Sequence, residues 1–204
     1  MKKPGDTSIA PSQGEYQDES DYLSQFRKSR QVHNIRGIPE EGQAAFFHAL
    51  DSRMEFGEIF GVVKSVVRKL LRMERAGIGM MLSDLPPELG AYWEIGGNFI
   101  VFNESLIKAM KLISKSDREF NSFVFTVLAH EYLHSLGFID ESEAISSTAS
   151  VTLKAFGPVH PASLMATGNI WHIYPLLTMA PHAGHGLSRI VGGFDEEPTR
   201  NYIS

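Results

Sequence analysis

The segment from His130 to Asp140 constrains this chain more than any other. It reads H-E-Y-L-H-S-L-G-F-I-D. Residues four apart on an α-helix lie on the same face, so His130 and His134 are expected to project side by side and to bind one metal ion. Glu131 follows on the same turn, close enough to hold a water molecule beside that metal. The pattern therefore predicts a helix that carries two metal ligands and a reactive carboxylate.

The residues around this motif predict the helix that it requires. Apolar side chains recur at three- and four-residue intervals from Asp117 to Leu136. Ser116 or Asp117 is a suitable N-cap, and Glu119 favours the first turn. Gly137 stands where helices often end in the left-handed conformation, which only glycine adopts freely. We expect the chain to reverse there and to return a later residue to the metal.

Zinc is the metal that this donor set predicts, because catalytic zinc sites combine imidazole and carboxylate ligands and leave one position for water. After the helix, the acidic residues are Asp140, Glu141 and Glu143, and no other occurs before Asp195. We take Asp140 as the third ligand, with Glu141 and Glu143 as alternatives. A distal histidine is a further alternative. The candidates are His160, His172, His182 and His185.

The motif resembles that of the metzincin zinc peptidases, in which H-E-x-x-H-x-x-G-x-x-H/D precedes a methionine turn beneath the metal. The segment P-A-S-L-M at 161–165 is similar to such a turn, with Met165 as its methionine. The compact hydrophobic layout also resembles the small archaeal zincins called minigluzincins, whose third ligand is a glutamate. The resemblance covers residues 76–165. It implies a zincin-like fold and a zinc metallopeptidase in which Glu131 is the catalytic base.

The residues before the motif predict a small mixed sheet beside a long helix. One apolar stripe has helical spacing and ends before Gly77, whereas Gly96 and Gly97 separate two apolar segments in a pattern typical of a β-hairpin. We therefore expect an α+β fold in which the hairpin packs on the long helix and offers one arm to extended substrates. The expected elements are helices at 55–75 and 106–113, a buried strand at 78–82 and hairpin strands at 91–95 and 98–102.

The distribution of apolar residues predicts one folded domain. A chain of 204 residues, 43% of them hydrophobic, can bury a core, and we expect most of that core between residues 38 and 190. We assign residues 37–188 to a zincin-like metallopeptidase domain. Residues 1–36 are rich in polar and charged side chains, which predicts a disordered segment, or a regulatory pro-segment lying across the cleft. Residues 189–204 are expected to form a flexible tail.

Composition argues against several classes of protein. The chain has no cysteine, which excludes disulfides and thiolate ligands and fits a cytoplasmic protein. It shows no apolar run of membrane-spanning length, and because no apolar segment follows Lys2 and Lys3, we expect no signal peptide. A net charge of -5 without a basic cluster argues against nucleic acid as a partner. We expect a cytoplasmic zinc metallopeptidase acting on peptides or proteins. The alternative is a metal-binding zincin-fold protein without turnover, acting as a binding or regulatory module.

Overall fold

Helices and a small mixed sheet make up the part of the chain that the computed structural model describes, residues 46–180 and 188–195. The expected α+β class with a small mixed sheet is confirmed. The helices are α1 (Phe56–Leu71), α2 (Glu104–Ile113), α3 (Asp117–Ser135), α4 (Glu141–Phe156), α5 (Pro161–Thr167) and α6 (Ile170–Ile173), with a 3₁₀ helix at Pro175–Met179. The strands are β1 (Gly79–Ser83), β2 (Ala91–Trp93), β3 (Phe99–Asn103) and β4 (Arg189–Val191).

Helix α1 forms because its apolar side chains fall on one face. The predicted stripe is buried over most of its length. The fully buried members are Ile59, Phe60, Val63, Val66 and Val67, and Leu70 is nearly so. The helix ends at Leu71, earlier than predicted, and Arg72 adopts a left-handed conformation with φ 60°. The chain leaves the helix there, and the backbone N–H of Arg75 then donates a hydrogen bond to the hydroxyl of Tyr132 at 2.7 Å.

The sheet has the strand order β2-β3-β1-β4, in which β1 and β3 run parallel and both outer pairs are antiparallel. The predicted hairpin is present as β2 and β3, with Trp93 opposite Ile100. Its turn differs from the expected two-residue loop. Gly97 N–H donates to the Glu94 carbonyl at 2.7 Å, and Gly96 has φ 82°, so the turn centres on residues 95 and 96. This turn ends β2 at Trp93.

Helix α3 is the central element of the fold. The hairpin was expected to pack on the long helix α1, but β2 and β3 pack on α3, and α1 packs on α3 and α4. Large side chains from α1, α3 and the sheet meet in one core, where the rings of Phe60 and Tyr132 lie edge to face at 5.2 Å. A helix buried on several sides is a rigid support for its exposed side chains. Among the described residues, no helix combines the length and hydropathy needed to cross a membrane.

The segment 188–195 belongs to the fold, which corrects the predicted tail boundary. Strand β4 pairs with β1, the ring of Phe194 stacks on Phe60 at 4.4 Å, and Asp195 forms an ion pair with Lys64 at 2.8 Å. Gly57 permits this approach, since a Cβ there would lie 2.3 Å from the carbonyl oxygen of Gly193. The predicted N-terminal segment 1–36 and the remaining tail residues 196–204 lie outside the described residues.

The expected methionine turn is a helix instead. Pro161 occupies the first turn of α5, and the ring Nδ1 of His160 accepts a hydrogen bond from the backbone N–H of Ala162 at 3.2 Å. Proline is favourable at a helix start because its missing N–H would have no partner there. Met165 is buried in the core, 2% exposed. The prediction of a turn at 161–165 is therefore wrong, because this segment carries its own helix start.

His160 makes folding sensitive to acid. It is 1% exposed and stacks on Phe156, and burial, together with the charge of Arg118, lowers its pKa to about 4. An unfolded chain has a histidine pKa near 6.5, so between pH 6.5 and 4 the unfolded state binds the additional proton. Stability therefore falls as pH drops through this window. We expect His160 to contribute a loss of roughly 1–2 kcal/mol between pH 7 and pH 5.

Urea denaturation of the metal-free protein measures this effect. His160→Asn is the matched variant, because asparagine also caps a helix but does not titrate. Between pH 7 and pH 5 the free energy of unfolding should fall by roughly 1–2 kcal/mol less in the variant than in the wild type. The carboxylates are the same in both proteins, so their contributions cancel in the comparison. Equal losses in both proteins would show that His160 titrates normally.

Candidate metal centre

Helix α3 presents the histidine pair on its last two turns. The hydroxyl of Ser116 accepts a hydrogen bond from the backbone N–H of Glu119 at 3.2 Å, as predicted for the N-cap. The helix ends at Ser135, within one residue of the expected end. Because α3 packs against α1, α4, α5 and the hairpin, its backbone is fixed on several sides. His130 and His134 therefore project from a rigid support.

The two imidazole rings face each other closely. Their Nε2 atoms are 3.1 Å apart, and the side chains are 20% and 15% exposed. Burial lowers the pKa of His130, which favours its neutral ring with one free lone pair. Two neutral ring nitrogens at this distance repel each other unless one carries a proton or a cation lies between them. The arrangement is thus suited to a shared cation.

The glycine turn after α3 orients His134. Gly137 has φ 107°, and a Cβ there would meet nothing within 4 Å, so the backbone conformation alone requires glycine. The turn brings the carbonyl of Phe138 to 2.7 Å from Nδ1 of His134. A carbonyl only accepts, so Nδ1 carries the proton and Nε2 keeps its lone pair for a metal. The predicted reversal of the chain is therefore present.

The residue that returns to the histidines is Glu141, not Asp140. The Asp140 side chain accepts a hydrogen bond from the backbone N–H of Glu143 at 2.9 Å and caps the N-terminus of α4. Glu141 is the first residue of α4. Its carboxylate oxygens lie 3.3 Å from His130 Nε2 and 3.2 Å from His134 Nε2. The geometry therefore favours Glu141, which the sequence offered as an alternative ligand, over Asp140.

The three groups fit a zinc ion. Zinc binds imidazole and carboxylate at about 2.0–2.2 Å in a tetrahedral arrangement, which separates neighbouring ligand atoms by about 3.4 Å. The two Nε2 atoms are 3.1 Å apart, and each lies near a different oxygen of Glu141, His130 at 3.3 Å from Oε1 and His134 at 3.2 Å from Oε2. Two neutral nitrogens and one carboxylate are also donors that zinc accepts. Glu141 is 67% exposed, so solvent reaches the cluster from its side.

Glu131 is buried beside the cluster and is not part of it. The residue is 7% exposed, and burial raises its pKa to about 7. The charge of His134 and a hydrogen bond with the backbone of Trp93 act in the opposite direction and lower this pKa. Trp93 ends the edge strand β2, so the carboxylate of Glu131 faces the strand as well as the histidines. A carboxyl group with a pKa near neutrality is suited to accepting and releasing a proton.

The other sequence candidates that the structure describes are not members of this cluster. Within residues 46–180 and 188–195, the grouping of metal-binding side chains consists of His130, His134 and Glu141. Among these described residues, neither Glu143 nor His172 joins it. His160 is a buried N-cap, as described above. His182 and His185 lie outside the described residues.

Two contributors were not predicted from the sequence, namely the Phe138 carbonyl and the backbone of Trp93. Both act through main-chain atoms, so the identity of the side chain carries no signal for them. The role of Asp140 did have a signal. The order Asp140-Glu141-Ser142-Glu143 places a capping residue three positions before a glutamate, a pattern typical of a helix start.

Comparisons with protein-family models, with curated proteins and with solved structures found no match to this chain.

Proposed function

We propose that this protein is a zinc-dependent hydrolase that cleaves peptide bonds. The observation that carries the proposal is the convergence of His130, His134 and Glu141 at ligand-like distances, with the carboxylate of Glu131 buried next to them. A purely structural metal site has no use for a buried carboxylate between two of its ligands, whereas hydrolysis needs a base there.

Each residue has a distinct role in this proposal. His130, His134 and Glu141 would hold the zinc, which when bound makes a water molecule acidic and polarises a carbonyl group. In the neutral ring of His134, Nδ1–H donates to the Phe138 carbonyl, and this tautomer leaves the Nε2 lone pair for the metal. Glu131 takes a proton from the attacking water and delivers it to the nitrogen of the leaving amine. Burial and the hydrogen bond with the backbone of Trp93 hold the Glu131 carboxylate beside the histidines.

The edge strand β2 supports a peptide as the substrate class. Within the described part of the chain, β2 pairs with β3 on one side and packs against α3. Asn103 N–H donates to the Gly90 carbonyl, so strand alternation directs the polar backbone groups of Ala91 and Trp93 away from β3. The Trp93 N–H donates to Glu131, so a pairing peptide would use the backbone groups of Ala91 and the Trp93 carbonyl. An extended peptide can pair with such an edge. Trp93 also contacts Glu131, so a peptide on this edge would pass the reactive carboxylate.

Metal analysis combined with a peptide-cleavage assay tests the proposal. We expect about one zinc per chain after reconstitution and dialysis, and loss of this zinc in His130→Ala and His134→Ala. His48→Ala is the matched control, since His48 is exposed and pairs with Asp51 away from the cluster. Chelation should abolish cleavage of a mixed peptide library, and added zinc should restore it. Absence of zinc from the reconstituted wild type would refute the proposal, and bound zinc without cleavage would indicate a binding module.

A further inference from the structure

Arg75 joins α3 to the hairpin. It lies in the connection between α1 and β1, and its guanidinium donates three hydrogen bonds. The acceptors are the Ser135 carbonyl at 3.1 Å, the Gly97 carbonyl at 2.8 Å and the Asn98 side-chain oxygen at 2.8 Å. Ser135 ends α3, where the last carbonyls lack partners within the helix, and Gly97 closes the hairpin turn. One planar group therefore connects the end of the histidine-bearing helix to the turn that follows β2.

The backbone of Arg75 is itself fixed. Its N–H donates to the hydroxyl of Tyr132 at 2.7 Å, and that hydroxyl donates back to the Arg75 carbonyl at 3.1 Å. Tyr132 is fully buried and follows Glu131 on α3. The backbone of Arg75 is thus held by the same helix turn that carries Glu131.

The guanidinium also contacts the edge strand through Trp93. It lies 5.4 Å from the centre of the indole ring, and the indole N–H donates to the same Gly97 carbonyl at 2.8 Å. The backbone of Trp93 is hydrogen-bonded to the carboxylate of Glu131. Arg75 therefore reaches the last residue of β2, the turn beyond it and the end of α3 together.

We propose that Arg75 is a positioning residue that holds the edge strand β2 at a fixed distance from α3, so that a peptide paired with β2 is aligned with the His130–His134–Glu141 cluster. The alignment of a peptide rests on the proposed function, whereas the link between the hairpin and α3 does not require metal. Lysine cannot replace this group, because an ammonium lacks the planar fork that reaches several acceptors at fixed angles.

Hydrogen exchange in the metal-free protein tests the link itself. Arg75→Ala and Arg75→Lys should increase exchange of the hairpin amides at 91–103 by about 10-fold, since each loses hydrogen bonds that hold the turn. Arg68→Ala is the matched control, because Arg68 is an exposed arginine of α1 paired with Glu74. It should leave the hairpin unchanged. Equal hairpin protection in the wild type and in both Arg75 variants would overturn the inference.

Peptide binding tests the consequence for the site. The measurement uses zinc-loaded protein carrying Glu131→Gln. Its affinity for a peptide should increase with the length of the peptide, and adding Arg75→Ala should reduce this increase in affinity by about 10-fold. Millimolar guanidinium should restore the affinity of the protein that carries Arg75→Ala and should not change the affinity of the protein that keeps Arg75. A general loss of folding would not be reversed in this way. A parallel fall in zinc affinity would assign Arg75 to the metal site and overturn its role in alignment. If the wild-type protein binds no zinc, the proposed function and the alignment of a peptide are both refuted. The hydrogen-exchange result then still decides whether Arg75 links the hairpin to α3.

Discussion

Replacing Glu131 by glutamine is expected to lower kcat/KM for peptide cleavage by about 100- to 10,000-fold while zinc remains bound. Glutamine has nearly the same shape as glutamate and preserves the packing of this buried position, but it cannot accept a proton. Zinc content should not change, because Glu131 lies outside the group formed by His130, His134 and Glu141. The loss should therefore appear in catalysis alone.

The measurement compares initial rates at equal zinc occupancy. Glu143→Gln is the matched control, because Glu143 is an exposed glutamate two residues after Glu141 in the sequence. It is not a member of the His130–His134–Glu141 cluster. It should retain wild-type activity. Residual cleavage of wild-type magnitude in Glu131→Gln, with zinc in place, would show that a different group moves the proton and would remove the central role assigned to Glu131.

The local features of the site were predictable because they depend on neighbours in sequence. The spacing of His130 and His134 places them on one helix face wherever the helix forms, and Gly137 provides the backbone conformation that ends it. The hairpin was predictable for a similar reason, since Gly96 and Gly97 separate two apolar strands. Such patterns determine local geometry with little help from tertiary contacts.

The spacing of the sequence does not determine which carboxylate, that of Asp140 or that of Glu141, becomes the third ligand. Asp140 and Glu141 both follow the reversal closely enough to approach the histidines. Helix α4 begins at Glu141 and needs a cap, and Asp140 is a favoured capping residue that fills this role. Once Asp140 bonds the backbone N–H of Glu143, Glu141 on the first turn is the carboxylate that faces the histidines.

The long-range features had no local pattern. The link through Arg75 connects residues 22 and 60 positions away through carbonyl oxygens, which any residue provides. The segment 188–195 can approach α1 because Gly57 leaves room for Gly193, more than a hundred residues later. Such contacts arise from the packing of whole elements, so composition and periodicity carry no information about them.

Replacing Glu141 by alanine is expected to weaken zinc binding by about 100-fold or more, whereas Asp140→Ala should weaken it by less than about 10-fold. Glu141 supplies the only carboxylate oxygens among the described residues within ligand distance of both imidazoles. Its removal leaves two ligands, and two imidazoles alone do not offset the cost of dehydrating the ion. Asp140 acts instead through α4, so its loss should lower stability by about 1 kcal/mol.

Competition with a chromophoric chelator measures the affinities, and urea denaturation of the metal-free proteins measures the stabilities. Asp140→Asn separates the two roles, because asparagine caps a helix as well as aspartate but is a poor zinc ligand. If Asp140 is a cap, this variant keeps both its stability and its zinc affinity, while Glu141→Gln loses affinity without losing stability. If Asp140→Asn instead loses zinc and Glu141→Gln keeps it, Asp140 is the third ligand and α4 must begin differently in the zinc-bound protein.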